Sequence, residues 1–542
     1  MTVKKVVVRY LPFTIFIVAL VLVLSFVPSI SKSTSSASNS SGTGSSNLSL
    51  PPGVTPQLPS GSKGLTVAGV KCAPGVRQIP WSKYAPECEP AWHGNNGGAT
   101  APGVTGSTIT ITYREFVSTD LSEIYSLLPK QIIGTNSEAV TTLKADIKVF
   151  NKYFELYGRH VVLKSFTGKG DLIQEMTGGD QAQAEADAVT AKSLGAFADM
   201  SLADTSEFYT SALADQHVIA FPLLYLQNRA AYRQEEPYIY TPGPDCDSAN
   251  EAIAATVGNA MKGLPAVFAG DPQLKTKTRT FGIIYNDNPY AQTCESDLVN
   301  SLKTYNVSPA KVGSFNFTPQ NLPEQIINII EQMKAAGITT IIFADEDPVS
   351  PGLFMQQAQA DNYHPEWLFL PSFTGGNIDA DALNRHFASE APQEMSHVIV
   401  PGIASSKASS QEDYKVFKLG APPKAKPLPT YSLGWAYAPV MLLFSAIQQA
   451  GPDLTPTTFE NAFHHLTDSA PNGMFGQWNF GPNIVDPAAS FQLLWWDPNA
   501  ISNQDGLKGA MEPCFSGKQF LFAKARQQIP VGSQLACFGS NG

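Results

Sequence analysis

The residues FGIIYNDNPYAQTCESDLVNSL (281–302) open the stretch that decides the fold, which runs from Arg279 to Ser372. Strand-like and helix-like segments alternate through it, in the order TRTFGIIYND (278–287), NPYAQTCESDLVNSLKTYNV (288–307), KVGSFNF (311–317), NLPEQIINIIEQMKAAG (321–337), ITTIIFADED (338–347), PGLFMQQAQADN (351–362) and PEWLFLPS (365–372). The alternation predicts a parallel sheet covered by helices. Such sheets bind ligands beyond the carboxyl ends of their strands, so this stretch should contribute half of a binding cleft.

A second alternating set lies upstream, between residues 107 and 224. Its segments are TITITYREF (108–116), SEAVTTLKADIKVFNKYFELYG (137–158), RHVVLKSF (159–166), QAQAEADAVTAKSLG (181–195), AFADM (196–200), SEFYTSALADQ (206–216) and VIAFPLL (218–224). In the longest of them, Leu143, Ile147, Phe150 and Phe154 recur at helical spacing and predict one apolar face. These segments predict a first lobe of the same α/β class.

These segments resemble the type I periplasmic binding proteins, the branched-chain amino acid and amide group that serves ABC importers. FGIIYNDNPYAQ (281–292) matches the strand, turn and Tyr-Gly helix start of the second lobe, except that Ala291 replaces the usual Gly. EEPYIYTPGPDCDSANEAIAATVG (235–258) resembles the first crossover between lobes. Later segments resemble the return to lobe one and a terminal hairpin, namely YSLGWAYAPVMLLFSAIQQAG (431–451), TPTTFENAFHHLT (455–467), and FGQWNFGPN (475–483) with FQLLWWDP (491–498).

The resemblance implies an α/β, two-lobed type I periplasmic-binding-protein fold, with parallel sheets flanked by helices and three crossover strands at the hinge. The expected divisions are a signal peptide or anchor (1–30), a Ser/Gly/Pro tether (31–64), a Cys-bounded segment (65–106), lobe one (107–241), lobe two (242–373), a return to lobe one (374–455), and a return through the hinge to lobe two with a Cys-containing tail (456–542).

The loops at the strand ends supply the candidate ligand contacts. They are Arg114, Phe116, Ser201, Thr205, Ser206 and Tyr225 from lobe one, and Tyr290, Asp345, Glu346 and Phe373 from lobe two. The loop SLADTS (201–206) precedes a helix, whose free N–H groups and dipole would favour a carboxylate. Plain helix capping by the same residues is the alternative.

The lobe-two candidates and Arg114 also have alternative interpretations that involve no ligand. Tyr290 matches the family tyrosine that closes over the ligand, and ordinary packing is the alternative. Asp345 and Glu346 would recognise an amine or hydroxyls, or would form a solvated turn or helix cap. Arg114 would pair with an anionic ligand or form a surface ion pair. The loop aromatics, of which Phe116 is one, are either ligand contacts or core residues.

One departure from the family pattern bears on the ligand. Amino-acid binders of this family place an acidic residue after the strand that corresponds to EWLFLPS (366–372), and here the loop SFTGGN (372–377) has Phe373 near that place. The ligand ammonium would lose its main counter-charge unless Asp345 or Glu346 replaces it. The sequence therefore leaves two classes of ligand open: an amino acid, or an apolar, aromatic or amide compound.

The N-terminus predicts export. Lys4, Lys5 and Arg9 precede an apolar run from Leu11 to about Ile30, which reaches roughly the 20 residues that span a bilayer. The basic residues should stay in the cytoplasm and the rest of the chain outside. An uncleaved membrane anchor is favoured over a cleaved signal, and residues 31–64 have the composition of a flexible tether.

Composition and cysteines agree with an exported chain. The 542 residues carry a net charge of −10 and no basic stripe, which argues against nucleic acid as a partner. Six cysteines favour disulfides outside the cytoplasm, with free buried thiols as the alternative. Neighbourhood in sequence suggests the pairs Cys72–Cys88, Cys246–Cys294 and Cys514–Cys537. The middle pair also lies near the starts of consecutive predicted helices. Zinc spacing is lacking, so we expect neither a metal nor another cofactor.

The sequence also lacks the motifs of common enzymes, including the GxSxG elbow, HExxH and the P-loop. We therefore expect a binding protein and not an enzyme. The resemblance implies an extracytoplasmic solute-binding protein of an ABC importer, with a small amino-acid-like or amide or organic-acid ligand and a permease–ATPase complex as partners. The alternative is a membrane-tethered sensory receptor that passes ligand occupancy to a signalling partner.

Overall fold

The structure is a computed structural model that describes residues 64–171, 174–175, 179–200, 207–222, 226–287, 289–316, 321–345, 347–371 and 380–537. The side chains at 118–121, 123 and 289–292 are also outside what it describes. The predicted signal or anchor and nearly all of the tether lie outside the described residues. All described residues belong to one compact unit, Pro51–Gly542.

Lobe one is built on a four-stranded parallel sheet with the strand order β4-β3-β5-β6. Its strands are β3 (Thr108–Glu115), β4 (His160–Thr167), β5 (Ala198–Asp199) and β6 (Ile219–Ala220), preceded by the small hairpin β1 (Gly64–Leu65) and β2 (Lys71–Cys72). Its first helices are α1 (Ser118–Leu127), α2 (Lys130–Ile133), α3 (Asn136–Tyr153), α4 (Gln181–Ser193), α5 (Glu207–Asp215) and α6 (Arg229–Gln234). The predicted alternation of strands and helices in this lobe is confirmed.

Helix α3 illustrates how the sequence determines where a helix begins and which face it buries. It begins after Thr135, whose side chain accepts a hydrogen bond from the backbone N–H of Glu138 and so caps the helix. Its predicted apolar face is confirmed, since Leu143, Ile147 and Phe150 are buried in the core of lobe one. That burial fixes the helix against the sheet.

Lobe two is built on a larger sheet with the order β13-β12-β11-β10-β9-β7-β8, and β14 pairs with β12. Strands β7 to β11 are parallel to one another, and β12 to β14 add antiparallel pairings at the far side. These strands are β7 (Phe281–Asn286), β8 (Lys311–Phe315), β9 (Thr340–Ala344), β10 (Glu366–Phe369), β11 (Val398–Gly402), β12 (Ser490–Ile501), β13 (Lys508–Pro513) and β14 (Phe520–Leu521).

The helices of the middle region are α7 (Cys246–Ala255), α8 (Pro272–Lys275), α9 (Pro289–Thr304), α10 (Leu322–Ala335), α11 (Ser350–Ala360), α12 (Asp381–Glu390) and α13 (Pro392–Met395). Helix α7 continues into a π-helical stretch, Thr256–Met261. All seven segments of the stretch 279–372 take the predicted strand or helix form, so the parallel sheet expected from it is confirmed.

The division between the lobes differs from the expected boundaries. We expected residues 374–455 to return to lobe one, but β11 pairs with β10 inside the second sheet. The return comes after β11, with α14 (Glu412–Gly420), α15 (Thr430–Ala450) and α16 (Pro456–His464), which pack on lobe one. The chain thus crosses between the lobes near 240–245, 403–411 and 481–489.

The terminal strand pairing also involves segments other than the expected ones. FGQWNFGPN (475–483) makes only isolated bridges, including Trp478 with Ala488, and does not form a strand. Strand β12 instead pairs with β11 on one side and with β13 on the other. The expected hairpin was therefore wrong in one arm, because pairing depends on β13, which lies further along the chain. After β14 the chain ends in short turns and α17 (Ala525–Gln528).

Helix α15 is the core helix of lobe one. Among the described residues it is the one helix long and apolar enough to span a membrane, and 89% of its most apolar window is buried inside the protein. Tyr437, Phe444 and Ile447 from this helix pack against Phe150 and its neighbours in lobe one. Its apolar composition is therefore explained by core burial.

All six cysteines are paired, as Cys72–Cys88, Cys246–Cys294 and Cys514–Cys537. These are the pairs suggested by sequence neighbourhood. The middle disulfide joins the first residue of α7 to α9, so it connects the end of the first crossover to the helix that begins with Pro289.

Candidate ligand-binding cleft

The candidate cleft lies where the parallel strands of both lobes end. In lobe one, β3 ends at Glu115 and β5 ends at Asp199. In lobe two, β7 ends at Asn286 and β9 ends at Ala344. Because crevices at the carboxyl ends of parallel strands bind ligands, the loops that follow these residues form the candidate site.

Most of the predicted contact residues fall outside the described residues. They are Ser201, Thr205, Ser206, Tyr225, Glu346 and Phe373. The backbone of Tyr290 lies in the first turn of α9, immediately after β7, but its side chain is also outside the description. Their proposed contacts with a ligand therefore stay predictions.

Arg114 lies near the end of β3 in a buried network. Its guanidinium forms ion pairs with Glu175 at 2.9 Å and Asp187 at 3.4 Å, and it stacks over the ring of Tyr209 at 3.9 Å. The side chain is 4% exposed. Of the two alternatives, the ion pair is present, but it is an internal one and not at the surface. Its role in binding an anionic ligand stays a prediction.

The same network shapes the edge of the candidate cleft. The carboxylate of Asp187 accepts hydrogen bonds from the backbone N–H groups of Lys169 and Gly170, at 2.8 and 3.1 Å. Arg114 therefore connects the end of β3 to the loop after β4 through two carboxylates. Burial raises the pKa of Glu175, and the charge and hydrogen bonds of Arg114 oppose that rise.

Phe116 follows β3 and is half-buried. Its backbone N–H donates to Oδ1 of Asn136 at 3.1 Å, and its carbonyl accepts from Nδ2 of the same side chain at 2.7 Å. This pair of hydrogen bonds fixes the loop against the start of α3. The position of the backbone is thus set locally, while the ligand role of the ring stays a prediction.

The two described aspartates after β9 are both buried. Asp347 accepts hydrogen bonds from the backbone N–H groups of Val349 and Ser350, at 2.8 and 2.7 Å, at the start of α11. Its carboxylate therefore holds the turn that leads into α11. Asp345 is 8% exposed, and its contact with a ligand stays a prediction.

Sequence reasoning missed a buried carboxylate at the end of β5. Asp199 accepts hydrogen bonds from Oγ1 of Thr112 at 2.6 Å and from the hydroxyl of Tyr209 at 3.1 Å. Tyr209 also stacks on Arg114, so this group extends the polar network along the strand ends of lobe one. An acidic residue inside the otherwise apolar predicted strand AFADM (196–200) was the only signal for it in the sequence.

Sequence reasoning also missed an apolar wall between the lobes. Leu128 and Ile132, in the insertion after β3, join Tyr431 and Trp435 of α15 in one buried cluster with the lobe-two residues Phe343, Phe354, Phe369, Leu383 and Phe387. Helix α15 packs against both α2 and α12. The carbonyl of Leu127 lies 3.2 Å from Nε2 of His386 in α12. The lobes therefore meet through buried apolar side chains.

Among the residues that the structure describes, no group of three or more His, Cys, Asp or Glu side chains could hold a metal ion.

Two lobes, each built on parallel strands covered by helices and joined by three crossovers, define the class of two-lobed solute-binding proteins. The chain belongs to the periplasmic binding protein family, whose sequence model matches residues 171–492. The family's fold is typical of proteins that bind solutes outside the cytoplasm and is typically not enzymatic.

Solved structures agree on the fold. A fatty acid ABC transporter substrate-binding protein from Thermomonospora curvata is 14% identical, with 80% of this chain and 97% of that chain covered at a TM-score of 0.52. A leucine-, isoleucine-, valine-, threonine- and alanine-binding protein from Brucella ovis, in its closed conformation, is 11% identical, with 78% and 97% covered at 0.51. A solute-binding protein from R. palustris in complex with 4-hydroxybenzoate is 14% identical, with 76% and 97% covered at 0.50. No curated protein sequence matches the chain.

Proposed function

We propose that the protein captures a small organic solute in the cleft between its lobes and delivers it to an ABC permease and ATPase. The observation that carries the proposal is the pairing of two parallel-sheet lobes through three crossovers, with strand-end loops on both sides. The fold neighbours are described as binding fatty acid, aliphatic amino acids or 4-hydroxybenzoate, each of which has an apolar part and a carboxylate.

We infer the ligand class from the ligands of the fold neighbours and from the strand-end loops. Leu128, Ile132, Tyr431 and Trp435, where the lobes meet, are buried by packing between the lobes. Apolar pockets with a few polar groups are typical of small-molecule sites. The guanidinium of Arg114 is already held by two carboxylates, so the N–H groups of the loop 201–206 are the better site for a ligand carboxylate. An amino-acid-like, amide or aromatic organic acid fits this combination.

Native mass spectrometry of the purified full-length protein tests the proposal first, by showing whether a small molecule co-purifies. A thermal-shift screen of aliphatic amino acids, amides and aromatic acids follows. A ligand at about a hundred times its Kd should stabilise the protein by about 2.7 kcal/mol. Consumption of a hit during incubation would contradict a role limited to binding, and loss of labelled-ligand uptake in cells without the protein would support import over sensing.

Two variants locate the ligand. Thr205→Val removes a hydroxyl from lobe one and should weaken binding of the identified ligand by about 1–3 kcal/mol. Tyr290→Ala removes an aromatic anchor from lobe two and should cost about 2 kcal/mol or more. Because both would act on the same closed state, their effects should not add. Normal binding by both variants would show that the ligand lies elsewhere.

A further inference from the structure

Two of the three crossovers run side by side at the hinge. The backbone N–H of Thr241 in the first crossover donates to the carbonyl of Val485 in the third, at 3.1 Å. Four residues further on, the N–H of Asp245 donates to Oδ2 of Asp486 at 2.9 Å. Because these segments connect the lobes, any movement of one lobe against the other must change their conformation.

Both aspartates of this pair are buried and held by the start of α7. Asp245 caps that helix, since its Oδ1 accepts from the backbone N–H of Ser248 at 2.7 Å. The hydroxyl of Ser248 donates to Oδ2 of Asp486 at 3.1 Å. The side chains of Asp245 and Asp486 are 0% and 2% exposed. One oxygen of each carboxyl is therefore occupied by a neutral donor.

The other two oxygens face a single cation. Nη2 of Arg229 lies 2.7 Å from Oδ2 of Asp245 and 3.8 Å from Oδ1 of Asp486. Neither of these oxygens accepts a hydrogen bond of normal geometry. Two buried carboxylates against one guanidinium would leave a net negative charge out of contact with water, which is costly. A single proton on one of the two carboxyl groups removes that charge.

The described neighbours of the pair add negative charge. Asp247 is exposed and accepts from the backbone N–H of Arg229 at 2.7 Å. On α9, Asp297 accepts from Nδ2 of Asn228 at 3.2 Å. Burial raises the pKa of Asp486 well above its ordinary value, and the charge of Asp245 raises it further. Burial also raises the pKa of Asp245, against the opposing effect of Arg229.

We propose that the Asp245–Asp486 pair holds one proton at neutral pH, and that this proton keeps the first and third crossovers together, so that opening of the lobes is coupled to pH. The link to ligand release rests on the proposed function, whereas the protonation of the pair does not. Because burial raises the pKa of both carboxyl groups where the two crossovers are joined, the proton stabilises that junction at low pH, and the stabilisation is lost as the pH rises through the raised value.

Hydrogen–deuterium exchange of the full-length protein without ligand tests the proposal. Protection factors, corrected for the intrinsic pH dependence of exchange, are compared at about pH 5.5 and about pH 8.5. We expect protection of residues 241–248 to fall at least about tenfold at the higher pH in the wild type. In Asp486→Asn and Asp245→Asn, each of which leaves one carboxylate for Arg229, protection should stay constant.

Asp505→Asn is the control, because Asp505 pairs with Arg385 at a partly exposed site outside the paired first and third crossovers. It should retain the wild-type pH dependence. Unchanged wild-type protection between the two pH values would overturn the proposal, even if neither hinge variant folds. A parallel fall in wild type and both hinge variants would overturn it as well. Since no ligand is used, a failed ligand screen would leave this result unaffected.

Discussion

Arg114 and Glu175 form two parallel hydrogen bonds, from Nη1 to Oε1 at 3.0 Å and from Nη2 to Oε2 at 2.9 Å. Both side chains are buried, at 4% and 0% exposure. A planar guanidinium matches a carboxylate in this two-point geometry, so the pair fixes direction as well as distance. It thereby holds the end of β3 in place at the margin of the candidate cleft.

Breaking this pair should be strongly destabilising. Glu175→Ala removes the two-point partner of the buried guanidinium of Arg114 and leaves the longer ion pair with Asp187, and we expect a loss of about 3–5 kcal/mol in the free energy of unfolding. Asp505→Ala removes the partner of Arg385 at a partly exposed pair and should cost less than about 1 kcal/mol. Denaturant titration of both variants gives the comparison, and equal losses would contradict it.

A buried acidic pair predicts loss of stability at alkaline pH. Asp146 of α3 and Asp413 of α14 are both 0% exposed, and both carboxylate oxygens of Asp146 lack a hydrogen-bond partner. Burial raises the pKa of Asp413 to about 7, so folding favours its protonated form. Stability is then lost as the pH rises from the unfolded pKa to the folded one.

Asp413→Asn should remove that loss. At about pH 8 the variant should be more stable than the wild type by on the order of 2 kcal/mol, and the gain should shrink towards about pH 5, where the wild-type carboxyl holds its proton. Thermal unfolding across this range measures the difference. A constant difference at all pH values would show that the carboxyl does not titrate in this way.

Gly420 is required for close packing of α14 on α3. An added Cβ would lie 2.0 Å from the backbone carbonyl oxygen of Ala145, which cannot rotate away. Gly420→Ala should therefore destabilise the protein by about 1–3 kcal/mol. At Gly481 the nearest atom to an added Cβ is in Ile484, at 3.8 Å, so Gly481→Ala should be tolerated. Similar melting temperatures for the two variants would contradict the packing argument.

The disulfides should differ in their effect on stability. Cys246 and Cys294 are 48 residues apart, whereas Cys72 and Cys88 are 16 apart. In the chain-entropy account the longer loop stabilises by roughly 4 kcal/mol and the shorter by roughly 3. Paired Cys→Ser variants, compared by denaturant unfolding, should show the larger loss at Cys246–Cys294. Free thiol in the denatured, unreduced wild type would contradict the pairing itself.

The sequence by itself determined the order of elements from β3 to β10, the family and the cysteine pairs. Local signals are sufficient for these features: apolar periodicity distinguishes helix from strand, and cysteines that are neighbours in sequence are brought together by adjacent elements. The crossover at 235–258 was also visible, because it lies between two complete sets of alternating segments.

Only the tertiary structure decided which residues meet across long separations. The partners of Arg114 lie 61 and 73 residues further along the chain, and Asp245 meets Asp486 across 241 residues. The placement of β11 in lobe two follows from its pairing with β10 and β12, which no local pattern contains. The burial of α15 depends on the lobe that surrounds it, since its apolar sequence alone would equally suit a membrane. Local sequence specifies the conformation of each segment, whereas the contacts of buried charges and sheet edges depend on how the whole chain packs.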